Sequence, residues 1–223
     1  MSIKQNLQNI KASLPDHVAL VAVSKTKPVS DLMEAYHAGQ RIFGENKIQE
    51  MVEKHETMPK DIEWHMIGHV QSNKVKYMAS FVHLIHGVDN FKLLKEINKQ
   101  ALKHDRVIDC LLQIKIASED SKFGMTPNEA SEIIKSEMFS ELKNIKIVGL
   151  MGMATFTNDE NWVKKEFNYL KDTFENLKLT SADNYQLNTI SMGMSGDYQL
   201  AINCGSTMVR IGSSIFGERN YSI

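Results

Sequence analysis

The stretch ALVAVSKTKP (residues 19–28) runs from an aliphatic strand, predicted over Ala19–Ser24, into a turn with no glycine. An open, doubly wound α/β sheet that binds a dinucleotide carries a glycine-rich loop at this point. Glycine is needed there because a Cβ would keep the backbone away from the pyrophosphate. Ser24-Lys25-Thr26-Lys27-Pro28 has none. For alternating strands and helices the competing architecture is a closed (β/α)₈ barrel, with its functional residues at the C-terminal ends of the strands.

Outward from this stretch the alternation continues. Strands are predicted at Ala19–Ser24, Ile42–Glu45, Glu63–Ile67, Leu84–Val88, Asp109–Ile116, Lys146–Met151, Thr189–Met192 and Thr207–Ile211. Several are contiguous aliphatic runs, the pattern of parallel strands buried on both faces. Helical stretches separate them. Thr126-Pro127-Asn128-Glu129 is a capping box with proline at the first helical position, and Gly39 suits the end of the first interstrand helix. After Trp162, residues Val163, Phe167, Leu170, Phe174 and Leu177 form one apolar stripe directed at a sheet. Eight strand–helix units preceded by an N-terminal helix predict a single-domain α/β TIM barrel over residues 1–223.

Composition narrows the function classes. Apolar residues make up 42% and charged residues 24% of 223, as in ordinary globular proteins. A formal charge of −1 gives no electrostatic footprint for nucleic acid or an anionic membrane. Lys92, Lys95, Lys99 and Lys103 follow helical spacing and form a solvated face. Cys110 and Cys204 have neither metal-ligand nor disulfide spacing and are expected to be buried thiols. MSIKQNLQNIK has no apolar signal-like core and no segment is long enough to span a bilayer, so the expected location is cytoplasmic.

The strand ends carry the chemistry. The run GSTMVRIGSSIFGERNY (205–221) delivers Arg210 and then the small-residue turn Gly212-Ser213-Ser214. Such a turn lets backbone N–H groups approach an anion, and a guanidinium beside it suits a phosphorylated or heterocyclic ligand. Taken alone, the run also fits an ordinary tight turn with a surface arginine. The preceding strand end, Ser191-Met192-Gly193-Met194-Ser195, has similar small residues. Lys25 is the candidate nucleophile, since a partly desolvated amine forms a Schiff base with an aldehyde. The alternative is a lysine snorkelling to solvent, and alternation leaves open whether Lys25 or Lys27 points inward. His65 reads as a hydrogen-bonded core histidine ahead of a catalytic one. Asp89 and Glu45 suit either ligand orientation or helix capping.

The motifs AVSKTKP (22–28), FGENKIQE (43–50), WHMIGHVQSNK (64–74), SKFG (121–124), GLMGM (149–153), SMGMS (191–195) and GSTMVRIGSSIFGERNY (205–221) span nearly the whole chain. In their sequence and order the chain resembles the pyridoxal phosphate homeostasis protein family (YggS/PROSC type), which is built like the barrel domain of alanine racemase. The resemblance implies pyridoxal 5′-phosphate (PLP) held as a Schiff base on Lys25. It implies phosphate contacts from Ser191, Gly193, Gly212 and Ser213, with Met192 in the same segment. Arg210 would face the pyridine nitrogen, and Asn46 and Met153 would lie around the ring. Three positions depart from the family pattern: His69 stands where proline is common, Lys47 where an aromatic is common, and Ser213 where threonine is common.

The resemblance further implies a monomeric, non-catalytic protein of PLP homeostasis, with PLP-dependent apoenzymes as transient clients and no nucleic-acid or membrane partner. The alternative is an amino-acid racemase or related PLP enzyme. Racemases of this fold take a second base from an additional domain, and the chain ends at Ile223, soon after the last strand. A sugar-phosphate aldolase on the same barrel is a third, weaker reading.

Overall fold

All eight predicted runs form strands in the computed structural model, which describes residues 2–118, 123–179 and 182–218. The strands are β1 (Ala19–Val23), β2 (Ile42–Glu45), β3 (Glu63–Met66), β4 (Leu84–Val88), β5 (Ile108–Gln113), β6 (Ile145–Met151), β7 (Tyr185–Ser191) and β8 (Met208–Ile211). Each pairs in parallel with its sequence neighbours, and β8 returns to β1 to close the barrel. At that seam Val21 lies opposite Arg210 and Ala22 opposite Ile211.

The helices are α1 (Ile3–Ser13), α2 (Val29–His37), α3 (Ile48–Thr57), α4 (Phe91–Leu102), α5 (Pro127–Lys135), α6 (Glu137–Ser140), α7 (Glu160–Lys178), α8 (Tyr198–Asn203) and α9 (Ser213–Phe216). Their local signals hold. The Thr126 hydroxyl and Glu129 carboxylate satisfy each other's backbone amides at the start of α5. The Gly39 amide donates to Tyr36 O just beyond α2. The α7 stripe Val163, Phe167, Leu170, Phe174 and Leu177 is buried as predicted.

Three details differ from the sequence reading. A 3₁₀ segment, Ser72–Tyr77, stands after β3 where an α-helix was expected. Its sole buried residue is Val75, and one anchor supports a tight turn but not an amphipathic stripe. β5 stops at Gln113 instead of Ile116, because the chain folds back there and Met125 bonds to Gln113 and Lys115. β7 begins at Tyr185 instead of Thr189; exposed Gln186 and Asn188, poor strand formers, disguise its first half. Ser121, Lys122 and residues 219–221 of the family-like motifs lie outside the described residues.

Two apolar layers follow from strand alternation. Ala22, Phe43, Trp64 and Ile85 face outward and pack with Leu32, Met51, Ile97 and Phe167 of the helices. Val21, Leu84, Leu111, Val148, Met151 and Met208 fill the barrel interior. Each fully buried aliphatic or aromatic contributes about 1.5–3 kcal/mol. Cys110 and Cys204 are buried free thiols. Among the described residues no helix is long and apolar enough to cross a membrane.

Candidate cofactor site

Alternation alone does not separate the two lysines; what Lys27 bonds to does. Leu20 and Ala22 lie in the outer layer and Val21 in the inner one, which gives Lys25 and Lys27 alike the parity of the inward face of β1. Lys25 is half-buried. Lys27 is engaged elsewhere: its Nζ donates to Phe216 O at 2.9 Å and Glu218 O at 3.0 Å, at the end of α9. That pair of bonds ties the β1 tail to the β8 tail and sets Lys25 beside the α9 turn.

The backbone flanking Lys25 is clamped by a buried ion network. Lys54 Nζ donates to Ser24 O at 2.8 Å, Glu45 Oε1 at 2.8 Å and Glu50 Oε1 at 2.7 Å. The Ser24 hydroxyl donates to Glu45 Oε1 at 2.6 Å, and the Thr26 amide donates to Glu50 Oε1 at 2.6 Å. Thr26 adopts φ +64°, a left-handed conformation uncommon for a β-branched residue and held by this clamp. Glu45 therefore neither caps a helix nor faces a ligand. Burial pushes its carboxyl up, against the pull of Lys54. Asp89 also avoids capping: Asn90 caps α4, and Asp89 Oδ2 lies 3.3 Å from His69 Nδ1.

Across the seam, Arg210 is 4% exposed and points into the barrel. Its Nη1 donates to Ser191 O at 2.8 Å and Ser191 Oγ at 2.5 Å, and its Nη2 to Gly152 O at 3.0 Å. Among the described residues three of its five N–H groups are thus used. Burial lowers its pKa to about 10, so the guanidinium stays charged at neutral pH. No carboxylate among the described residues lies within ion-pair distance of it. A buried cation whose opposing charge is the Asp197 carboxylate, not in contact with it, suits a neutral aromatic nitrogen or a ligand of opposite charge.

The ends of β7 and β8 form a cradle. Gly193 has φ +96°, and a Cβ there would come within 2.7 Å of Ala201 Cβ. The Gly193 carbonyl accepts from the Arg210 amide at 3.0 Å, and the Gly212 amide donates to Ser195 Oγ at 3.2 Å. Gly212 leads into the single turn of α9, where the Ile215 and Phe216 amides close on Gly212 O and Ser213 is exposed. Phosphate sites of β/α barrels use this combination of the last two strand ends and a short helix. Gly193→Ala is expected to lower unfolding free energy by about 1–2 kcal/mol from the φ penalty alone, measured by urea denaturation.

The remaining predicted residues divide. Asn46 is half-buried at the end of β2, where a Cβ on Gly68 would meet Asn46 O at 2.4 Å; that glycine lets the two loops touch. Met153 is half-buried against the interior cluster. Met192 does not face the mouth. Its side chain is buried in the outer layer, its amide donates to Met208 O and its carbonyl accepts from Ser206. Ser191 is fully buried and engaged by Arg210 and His86, so its hydroxyl reaches a phosphate only by exchanging a partner. His69, the proline substitute, stacks on Phe123 at 4.2 Å and shapes the rim. Lys47 is exposed at the start of α3.

Beneath Ser191 runs a column the sequence did not announce. His86 Nδ1 lies 3.0 Å from Ser191 Oγ, and His86 Nε2 lies 3.0 Å from His65 Nδ1. Burial and neighbouring cations drive both imidazoles well below the usual range, His65 to about 3. His65 is thus the core histidine expected, with a histidine as its partner. Parity within strands β3 and β4 was the available signal; the pairing across them was not.

The sequence matches the alanine racemase N-terminal domain family over residues 1–220. It is 42% identical over the full length of both chains to the pyridoxal phosphate homeostasis protein of Pasteurella multocida. The chain belongs to this family. A relative of the same description in Schizosaccharomyces pombe is 41% identical, over 91% of this chain and 85% of that one. Among solved structures, PipY of Synechococcus elongatus with PLP bound is 32% identical with a TM-score of 0.87, covering 97% of this chain and all of PipY. Alanine racemase of Clostridium difficile, 18% identical with a TM-score of 0.78, shares the barrel, and this chain spans 57% of it. Family membership accounts for the closed barrel and for the order of the strand-end motifs.

Proposed function

We propose that this protein binds PLP at the β1–β8 mouth and serves PLP homeostasis inside the cell, without robust catalysis of its own. One observation carries the reading. Lys25, just past β1, and the small-residue turn Gly212-Ser213, just past β8, follow the two strands that close the barrel, tied together by Lys27. A phosphorylated aldehyde fits that pairing: the cradle takes the phosphate and Lys25 holds the aldehyde as a Schiff base. The PLP-bound PipY relative supports the same choice of ligand.

The residues then have separate roles. Gly193, Gly212 and Ser213 hold the phosphate, and Asn46 and Met153 border the ring. Ser191 braces Arg210, whose guanidinium faces the ring nitrogen. PLP supplies an electron sink for amino-acid chemistry when its ring nitrogen is protonated. Arg210, cationic and donating, keeps that nitrogen unprotonated and weakens the sink. The two buried free thiols suit a reducing compartment such as the cytoplasm. A monomer that meets PLP-dependent apoenzymes transiently completes the proposal.

The deciding experiment is borohydride reduction of the PLP-loaded protein followed by peptide mapping. The label is expected on Lys25; a label on Lys27 or on scattered surface lysines rejects the site. Catalysis is tested separately. The protein, loaded with PLP and incubated with a panel of amino acids in D₂O, is expected to show no α-proton exchange by NMR. Exchange that disappears in Lys25→Ala would establish a racemase-type activity instead.

A further inference from the structure

The floor of the barrel, at the end opposite the proposed cofactor mouth, holds a second cluster of reactive side chains. Glu63 opens β3, and His65 follows two residues later on the same inward face. His83 immediately precedes β4. One ligand atom from each of Glu63, His65 and His83 lies within 4.8 Å of the other two. His83 Nε2 and Glu63 Oε2 are 3.5 Å apart, and the His83 ring lies parallel to that of His65 with centroids 5.7 Å apart.

His65 makes this more than a surface grouping. Its ring is 2% exposed, and its Nδ1 is committed to His86. Nε2 is buried with no hydrogen-bond partner among the described residues. Leaving such an atom unpaired is unfavourable, and a ligand on Nε2 would recover that cost. By elimination Nε2 is the atom that His65 offers to the cluster.

We propose that Glu63, His65 and His83 form a binding site for a divalent transition metal, zinc being the best match, at the base of the barrel. Two imidazoles and one carboxylate are a borderline-soft donor set that suits Zn²⁺, whereas Mg²⁺ and Ca²⁺ prefer oxygen alone. Tetrahedral bonds of about 2.0–2.2 Å set neighbouring ligands about 3.3–3.6 Å apart. The His83–Glu63 separation already meets this, and the exposed His83 and Glu63 side chains can close on the fixed His65. The fourth position falls to water or to Asp109, which the β4–β5 register sets opposite Leu84 on the neighbouring strand.

Metal on Nε2 also fixes the hydrogen bonds above it. His65 must then carry its hydrogen on Nδ1 and donate to His86 Nε2, and His86 Nδ1 donates to Ser191 Oγ. Ser191 Oγ accepts from Arg210 as well, so its own hydrogen turns away from both. With hydrogen on His65 Nε2 instead, the column runs the opposite way and Ser191 donates to His86. The relevance of this switch to the cofactor rests on the proposed function; the metal site does not.

The test uses the full chain, stripped with chelator and with no PLP added. Zn²⁺ is titrated by calorimetry and Co²⁺ by visible absorption, for the wild type and for Glu63→Gln and His83→Ala, whose exposed side chains leave the core intact. The expected result is one equivalent bound, weakened by at least about tenfold in each variant. Histidine ¹⁵N spectra should show Zn²⁺ moving His65 to the Nδ1–H form. Absence of saturable one-equivalent binding, wild-type affinity in either variant, or His65 still protonated on Nε2 with Zn²⁺ bound each overturns the site. Because PLP is absent, failure here leaves the cofactor reading intact, and failure of peptide mapping leaves this site standing.

Discussion

Lys25→Ala is expected to abolish the borohydride-fixable chromophore of the PLP-loaded protein while leaving a weaker, dialysable association through the cradle. The proposed phosphate contacts and Arg210 lie at the ends of β7 and β8, and Arg210 is held there by Ser191. Absorption spectra before and after dialysis, with and without borohydride, separate the two contributions. Lys27→Ala is the control. It should keep the chromophore, because Lys27 spends its amine on Phe216 and Glu218 carbonyls. A chromophore that survives Lys25→Ala and disappears in Lys27→Ala would exchange their roles.

The second large effect is expected at a residue that touches no ligand. Lys54→Met should destabilise the fold by about 3–5 kcal/mol, since Glu45 is left as a buried, unpaired carboxylate. That is a large fraction of the roughly 5–15 kcal/mol that holds a typical domain together. The same substitution frees Ser24 O and removes the counter-charge that steadies Glu50, and Glu50 holds the Thr26 amide. The loop carrying Lys25 should therefore loosen along with the fold. Urea denaturation reads the stability, and Glu45→Gln in the Lys54→Met background should recover part of it by removing the stranded charge. Loss below about 1 kcal/mol, the worth of an exposed pair, would mean that the network is a surface feature.

Much of this was legible in the sequence because it depends on local chemistry. Short β-rich runs alternating with helical patterns identified eight strands, and the missing glycine after Val23 argued against an open nucleotide-binding sheet. The capping box at Thr126 and the apolar stripe of α7 are set by side chains within a few residues of one another. Polar residues hid the start of β7, and one buried valine was too little to make the segment after β3 an α-helix.

The sequence by itself determined the barrel, the family and the strand ends at which the site would form. It named Lys25, Arg210, Gly193 and Gly212, because small residues and cations at strand ends are local signals. Only the tertiary structure separated the two lysines, since alternation gives them the same parity and Lys27 is committed to carbonyls at the far end of the chain. It alone turned Met192 outward, gave Ser191 to Arg210 and His86, and joined Glu45 to Lys54 beneath the Lys25 loop. It also gathered Glu63, His65 and His83 on the barrel floor. These pairings cross from one strand or helix to another, and the barrel's closure is what brings their partners within reach.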